Sequence, residues 1–345
     1  MAVQDRQVLD EKPTPLPFKE REDTKALAVG FLFSLSMTFL IDLNAYRLEK
    51  VPHLPDEGPL WYYWALSEPT FWTRLSAWVP YFCHQVAHWY LIYYGQKHIQ
   101  SPTTKLQPVH YVCLALNGFF SVLHFVQTHT MYDGLAQEVN VTTPQVAVII
   151  MLIWVLLMEN YRRGLFFGKP GPFLSRDLIH FARKYHGFFF SWCIVYTFWF
   201  HPMEGTSGHL WGFFYTFLLM VQGSLFLTRV HMNKWWTVSL ELLVSIHGTV
   251  VAFQQPFPGI WSMFLFGFLA MFLISQMHGL GLPFVFKGLI VLLVLFPAVL
   301  IYSSKPLKNL SEPLRIPMID YIGVYILAGV LYVIMWCCGN RRKSI

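Results

Sequence analysis

The chain has 345 residues, of which 55% are hydrophobic and 13% are charged, and its formal net charge is +6. Soluble domains carry about 25% charged residues, so this composition excludes a soluble fold of this length, whose surface would lack charge. The 25 Lys and Arg residues lie between apolar segments and form no basic patch, which argues against a nucleic-acid partner.

Apolar segments long enough to cross a bilayer follow one another along the chain. A helix needs about 20 predominantly apolar residues to span the hydrocarbon core. The sequence predicts about ten such spans, at residues 26–46, 76–95, 109–129, 144–161, 183–201, 209–228, 235–254, 259–280, 283–303 and 319–338. Their uniform apolarity predicts helices and not a closed barrel, whose strands alternate. The predicted fold class is therefore an all-α polytopic transmembrane helix bundle, with the lipid bilayer as its partner.

The positive charges predict how this bundle is oriented. The sequence divides into a polar tail at residues 1–25, a single transmembrane domain at 26–338 and a basic tail at 339–345. If both termini are cytosolic and the chain changes sides at each span, 19 of the 25 Lys and Arg residues are cytosolic and 6 are not. Cytosolic loops of membrane proteins carry such an excess, so the bias predicts both termini in the cytosol.

The end of the chain bears on its location in the cell. Arg342 and Lys343 precede the last two residues and resemble a dibasic retrieval signal. This predicts the endoplasmic reticulum, or another endomembrane, in a eukaryotic cell. The alternative is that these charges only anchor the last span on its cytosolic side.

Fourteen histidines are the most unusual feature of the sequence, because an ionisable residue inside a membrane requires a partner or a function. The ten-span topology sorts most of them into two layers. The layer near the non-cytosolic face contains His124, His129, His201, His209 and His247. The layer near the cytosolic face contains His98, His110, His180, His186, His231 and His278. His84 and His88 fall between the layers, in the second span.

These histidines predict a cofactor. The spacing of His84 and His88 places both imidazoles on one helix face, with Cβ atoms about 5–6 Å apart, so that one metal ion can accept both. Two histidines on different helices at one depth can instead ligate one haem. The predicted cofactor is iron or haem b, its identity left open, and the candidate ligands are His84, His88, His124, His129, His201, His209 and His247. The alternative is that each histidine hydrogen-bonds a neighbouring helix.

Two glutamates are the candidate catalytic residues. Glu204 follows His201 in a compact polar loop at a membrane face, where imidazole and carboxylate can bind a metal or act as acid and base. Glu241 lies inside the seventh span. An ionisable residue at that depth is a functional-site hypothesis by default.

Three classes of function remain open. The histidine layers favour a membrane oxidoreductase or lipid-modifying enzyme that binds a metal or haem and acts on an apolar or lipid substrate. Ten spans, intramembrane acids and the glycine- and proline-containing break at Gly279–Pro283 are typical of a secondary, proton-coupled transporter. The third class is an assembly or scaffold protein without chemistry of its own.

Overall fold

Helices make up all the regular structure in the part of the chain described by the computed structural model, which covers residues 21–55, 62–255 and 259–342. The α-helices are α1 Glu22–Asn44, α2 Phe71–His98, α3 Pro108–Thr130, α4 Thr142–Met158, α5 Asn160–Arg163, α6 Arg176–Phe200, α7 Ser207–Ser224, α8 Lys234–Gln254, α9 Ile260–Ile274, α10 Phe284–Ser303 and α11 Glu312–Arg342. Short 3-10 turns occupy Ala45–Arg47, Leu135–Gln137, Gln276–Leu280 and Leu307–Ser311. The all-α prediction is confirmed, whereas residues 1–20 of the predicted polar tail and 343–345 of the basic tail, including Lys343, lie outside the described residues.

Five helical segments are long and apolar enough to cross a membrane: Glu22–Arg47, Pro108–Thr130, Lys234–Gln254, Phe284–Ser303 and Leu307–Cys337. Two shorter apolar helices, α4 and α9, accompany them. The chain therefore fits an integral membrane protein with several spans. Each of the ten predicted segments overlaps one of the helices α1–α4 and α6–α11, but ten crossings and cytosolic termini stay predictions.

Side-chain caps set where several of these helices begin. Thr70 accepts a hydrogen bond from the Thr73 backbone N–H, and the Thr73 hydroxyl oxygen accepts one from the Thr70 N–H, which forms a capping box before α2. The Thr206 hydroxyl oxygen accepts the His209 N–H at the start of α7. Such caps satisfy N–H groups that have no partner inside a helix.

The helix in the eighth predicted span is shorter than the predicted residues 259–280. This helix, α9, ends at Ile274, and the 3-10 turn Gln276–Leu280 follows. Gly281 then has a φ of 71°, a left-handed conformation that glycine adopts without the steric cost of a Cβ atom. The chain therefore forms a turn between two helices here.

The most completely buried large side chains lie on α6, where Phe198, Trp199 and Phe200 are at most 1% exposed. Helix α6 packs against α2, α4 and α7. By contrast, α10 packs along α9 and none of its apolar stretch is buried, so α10 faces the lipid. Two histidines, His84 and His124, contact Trp199 at this buried end of α6.

Candidate functional site

Glu204, in the loop between α6 and α7, is the acidic residue at one end of the candidate site. Its carboxylate accepts a hydrogen bond from the Tyr132 hydroxyl, and Nε2 of His53 lies 3.5 Å from the same carboxylate. Burial, followed by the charge of Glu204, raises the pKa of Tyr132 far above its ordinary value, so this hydroxyl stays a donor. Tyr132 also has a φ of 41°, a conformation rare for a bulky residue. Backbone strain of this kind clusters at functional sites.

His209, in the first turn of α7, lies between two hydroxyl groups. The Tyr62 hydroxyl is 2.7 Å from its Nε2, and the Thr206 hydroxyl is 2.7 Å from its Nδ1. A neutral imidazole has one donor and one acceptor nitrogen, so one hydroxyl accepts and the other donates. The His201 ring follows, with its centroid 5.9 Å from that of His209.

His247 of α8 packs into a notch opposite His209. The notch exists because residue 212 is glycine: a Cβ atom there would lie 2.9 Å from Cε1 of His247. Gly212 is three residues after His209, so the two lie on one face of α7. Nδ1 of His247 is buried and has no hydrogen-bond partner in the part of the chain that the structure describes.

His124 connects this region to the middle of the bundle. Its Nε2 donates to the backbone carbonyl of His201 at 2.9 Å, and its ring lies 4.4 Å from that of Trp199. The Trp199 indole N–H donates to Nδ1 of His84 at 3.3 Å. Because Nδ1 accepts, the proton of neutral His84 is on Nε2, which donates to Oδ1 of Asn117 at 2.8 Å.

His88 lies one helical turn beyond His84 on α2, with ring centroids 6.2 Å apart. It is completely buried, and neither ring nitrogen has a partner among the described residues. Its Cε1 would lie 3.6 Å from a Cβ atom at Gly223. The neighbouring carbonyl of Gln222 accepts a 2.8 Å hydrogen bond from Nδ1 of His231, in the loop after α7. The backbone of Gln222 and Gly223 thus separates His88 from His231.

Six histidines therefore form a series along the length of α7. We call His209, His201, His124, His84, His88 and His231 the histidine row. Trp199 lies between its third and fourth members. Helix α7 has 18 residues and is about 27 Å long at about 1.5 Å per residue, close to the about 30 Å of a bilayer core. The outermost contacts of the row on α7, His209 itself and the Gln222 carbonyl, are 13 residues apart, so the row extends over about 20 Å, or about two thirds of that thickness.

Four of the predicted site residues are not members of the row: Glu204 and His247, described above, and His129 and Glu241. His129 donates through Nδ1 to the Phe125 carbonyl of its own helix and lies against the Phe125 ring. Glu241 instead pairs with Arg163 of α5, whose Nη1 lies 2.9 and 2.8 Å from the two carboxylate oxygens. Asp320 of α11 lines a small cavity of about 20 Å³ together with Glu241.

The described residues bring together no cluster of metal ligands. Within residues 21–55, 62–255 and 259–342, no three or more His, Cys, Asp or Glu side chains are grouped so that they could hold a metal ion. Both ring nitrogens of His84 and of His209 are hydrogen-bonded to protein groups, and Phe120 stacks on the His84 ring at 4.3 Å. Ligation would require these bonds to break. The predicted iron or haem b is therefore not supported by the geometry.

Several residues of the site were not predicted from the sequence, among them Tyr62, Tyr132 and Trp199. Tryptophan and tyrosine in such a sequence are expected at the membrane interface, and nothing local distinguishes a buried Trp199 from an interfacial one. Arg163 follows the predicted span 144–161 by two residues, so the sequence places it in a loop. The signal that was available is that an intramembrane carboxylate such as Glu241 needs a partner.

Comparison with known proteins adds no assignment. The chain matches no family model, no curated protein and no solved structure. The functional assignment therefore rests on the geometry of the site alone.

Proposed function

We propose that this chain moves protons across the bilayer along the histidine row, as a proton-coupled carrier. The observation that carries the proposal is the row itself, in which six histidines extend along α7 from the loop before it to the loop after it. Histidine chains inside membrane proteins act as proton relays. Neutral imidazole suits this role, because it can accept a proton on one nitrogen and release a proton from the other.

The contacts of the row determine how a proton would pass. Ring centroids are separated by 5.9 Å at His201–His209 and by 6.2 Å at His84–His88. These rings are too far apart for direct hydrogen bonds, so these two transfers need an intervening water. At one end, Glu204 and His53 provide a carboxylate and an imidazole for proton exchange. At the other end, burial and then the nearby His186 lower the pKa of His231 to about 4. His231 therefore releases at neutral pH any proton that it receives.

The test is proton flux into liposomes that contain the purified protein and a trapped pH-sensitive dye. Under an imposed pH gradient, the wild-type protein should carry flux well above that of empty liposomes. His84→Gln should lower it about tenfold or more, which corresponds to at least about 1.4 kcal/mol in the barrier. His129→Gln is the matched control, since it changes a histidine outside the row and should leave the flux unchanged. Equal flux in wild-type and empty liposomes, or equal loss in both variants, would overturn the proposal.

A second candidate function is a membrane enzyme that modifies an apolar or lipid substrate. It is favoured by one observation: Tyr132 and Glu204 form a buried hydrogen-bonded pair at the end of the bundle. Such a pair can give a proton to a substrate or take one from it. Comparison of the lipids of cells that produce the wild-type protein or Glu204→Gln tests it. A lipid that changes only with the wild-type protein would support the enzyme.

The iron- or haem-dependent oxidoreductase remains a prediction from the sequence. A metal analysis and a visible spectrum of the purified protein decide it, since bound haem absorbs strongly and iron is measured directly. Location in the endoplasmic reticulum likewise remains a prediction, and microscopy of the tagged protein with and without Arg342→Ala tests it.

A further inference from the structure

A cavity of about 510 Å³ opens between α1, α3 and α7. Apolar side chains line most of it, including Val29, Phe33, Leu114 and Phe217. Its volume is within the range of about 300–1,000 Å³ typical of small-molecule sites. Gly118 of α3 also lines the cavity, and a Cβ atom added there would meet no protein atom within 4 Å.

The depth of this cavity matches one leaflet of a bilayer. Its lining on α1 extends from Glu22 to Phe33 and on α3 from Tyr111 to Ser121. At about 1.5 Å per residue, these stretches rise about 15–17 Å. Half of a hydrocarbon core of about 30 Å is about 15 Å. An acyl chain that enters from the headgroup level therefore reaches the inner end of the cavity near the bilayer midplane.

The wall behind the cavity is formed by direct contact between α1 and α7. A Cβ atom at Gly30 would lie 2.6 Å from Cγ1 of Val221, so glycine allows the two helices to touch. Two of the lining residues, Asn117 and Ser224, are bonded to each other, with Asn117 Nδ2 2.8 Å from Ser224 Oγ. The cavity is thus a fixed feature of the helix packing and not a gap between loose side chains.

The mouth of the cavity is held in place by the first turn of α1. Asp23 is completely buried, and its Oδ2 accepts the Val230 N–H at 2.8 Å. Its own N–H donates to the Thr104 carbonyl at 3.0 Å. The neighbouring Glu22 carboxylate accepts the Leu106 N–H at 2.9 Å. These bonds join the start of α1 to the loops before α3 and after α7.

Three exposed cations belong to the segments joined there: Lys25, Lys105 and Arg229. Lys25 lines the cavity itself. Lys105 precedes Leu106, which also lines it, and the Arg229 N–H donates to the Thr103 carbonyl at 2.9 Å. An apolar cavity one leaflet deep beneath basic residues is complementary to a lipid with a negative headgroup.

We propose that this cavity binds one acyl chain of an anionic phospholipid, with the lipid phosphate at Lys25, Lys105 and Arg229. The lipid comes from the leaflet at that end of the bundle, which the charge bias assigns to the cytosol. The proposal does not depend on proton movement by the histidine row.

Native mass spectrometry after transfer of the protein from vesicles tests this proposal. Vesicles of phosphatidylcholine with a minor fraction of phosphatidylglycerol supply the neutral and anionic lipids. Wild-type protein should retain one phosphatidylglycerol, with a preference of about tenfold or more over phosphatidylcholine, or about 1.4 kcal/mol. Gly118→Leu fills the cavity and should lose this lipid. Combined replacement of Lys25, Lys105 and Arg229 by Gln should remove the preference for the anionic headgroup.

Gly329→Leu is the matched control. Gly329 lies on α11, and a Cβ atom there also meets no atom within 4 Å, so this variant should retain the lipid. If Gly118→Leu does not fold, Ala115→Phe fills the same cavity from one turn earlier. Equal lipid retention by wild-type protein and the cavity-filling variant, no headgroup preference, or occupation by a free fatty acid instead would each overturn the proposal.

Discussion

Trp199 of α6 donates its indole N–H to Nδ1 of His84 at 3.3 Å, while its ring packs against His124 with centroids 4.4 Å apart. One side chain thus joins histidines on α2 and α3 that lie 40 positions apart in the sequence. The bond also fixes the tautomer of His84, so that Nε2 donates to Asn117. The middle of the histidine row therefore has a defined direction of hydrogen bonding.

We first predict that Trp199→Phe lowers proton flux. The variant keeps an aromatic ring beside His124 but removes the donor to His84, whose buried Nδ1 then lacks a partner. An unsatisfied buried group costs about 1–3 kcal/mol, so thermal unfolding in detergent should occur at lower temperature. Trp154→Phe is the control, because the Trp154 indole donates to the Ala182 carbonyl at 3.1 Å outside the row. That variant should lose similar stability and keep its flux; a similar loss of flux would contradict the prediction.

The second prediction separates function from stability at His88. Its two buried ring nitrogens have no partner among the described residues, and burying polar groups in this way is unfavourable. His88→Leu should therefore leave the unfolding temperature unchanged or raise it, yet lower proton flux about tenfold or more. A loss of more than about 2 kcal/mol of stability would show that His88 has a structural role instead.

The third prediction concerns the buried pair of Arg163 and Glu241, whose side chains are 1% and 8% exposed. Removal of one partner leaves an unpaired charge and should cost about 3–5 kcal/mol, whereas replacement of both by apolar residues costs much less. We expect Glu241→Met to unfold at a much lower temperature and the double variant Arg163→Met, Glu241→Met to recover most of the loss. If the double variant loses as much free energy of unfolding as the two single variants lose together, the pair is not what stabilises this region.

The half-exposed pair of Arg74 and Glu138 provides the comparison for that experiment. Its atoms are 2.9 Å apart, but the side chains are 50% and 31% exposed. Solvent screens such a pair, so Glu138→Ala should cost less than about 1 kcal/mol.

The helices could be located from the sequence, because an apolar run of span length is a local property. The predicted span at α9 is too long, because it includes Gln276 and His278 whereas the helix ends at Ile274. Polar residues interrupt the run there, and the glycine at position 281 allows the chain to turn.

The contacts that define the site could not be predicted in the same way. Tyr132 and Glu204 are 72 residues apart, and Arg163 and Glu241 are 78 apart. Their meeting depends on how whole helices pack, which no local pattern encodes. The membrane depths of the two predicted histidine layers stay a prediction. The contact of Trp199 with both His84 and His124 could not be read from the sequence, because the three residues lie on three different helices.

The fourth prediction is the topology: ten crossings with both termini in the cytosol. Five helical segments meet the length and apolarity of a span; α2, α6 and α7 are long but contain more polar residues, and α4 and α9 are shorter. Fusion of a compartment-sensitive reporter to each terminus measures the orientation. Both reporters should report the cytosol. Reporters on opposite sides would require an odd number of crossings and would overturn the topology.

The last prediction is a pH dependence at Asp133, in the loop between α3 and α4. Burial raises the pKa of Asp133 from its ordinary value of 3.8 to about 6, despite the opposing hydrogen bond from the Gly134 N–H and the nearby Arg74. Its Oδ2 is buried without a partner among the described residues. Because the raised pKa means that the folded protein binds this proton more tightly than the unfolded chain, stability falls as the pH rises from about 4 to about 6. The loss is complete above about pH 6 and amounts to about 3 kcal/mol at most.

Asp133→Asn removes the titrating group and keeps its size, so it tests this effect directly. The variant should unfold at a higher temperature than the wild-type protein at about pH 7.5, and the difference should shrink at about pH 4, where the wild-type carboxyl is protonated in the folded state. Thermal unfolding in detergent across this range measures the difference. Glu138 faces the same carboxyl, so Glu138→Gln is run in parallel; it should move the midpoint of the pH dependence only slightly, because burial is the largest cause of the shift. The prediction fails if the difference in unfolding temperature between Asp133→Asn and wild type does not change with pH. Asp133 would then be ionised over the whole range from about pH 4 to about pH 7.5, and burial would not control its titration.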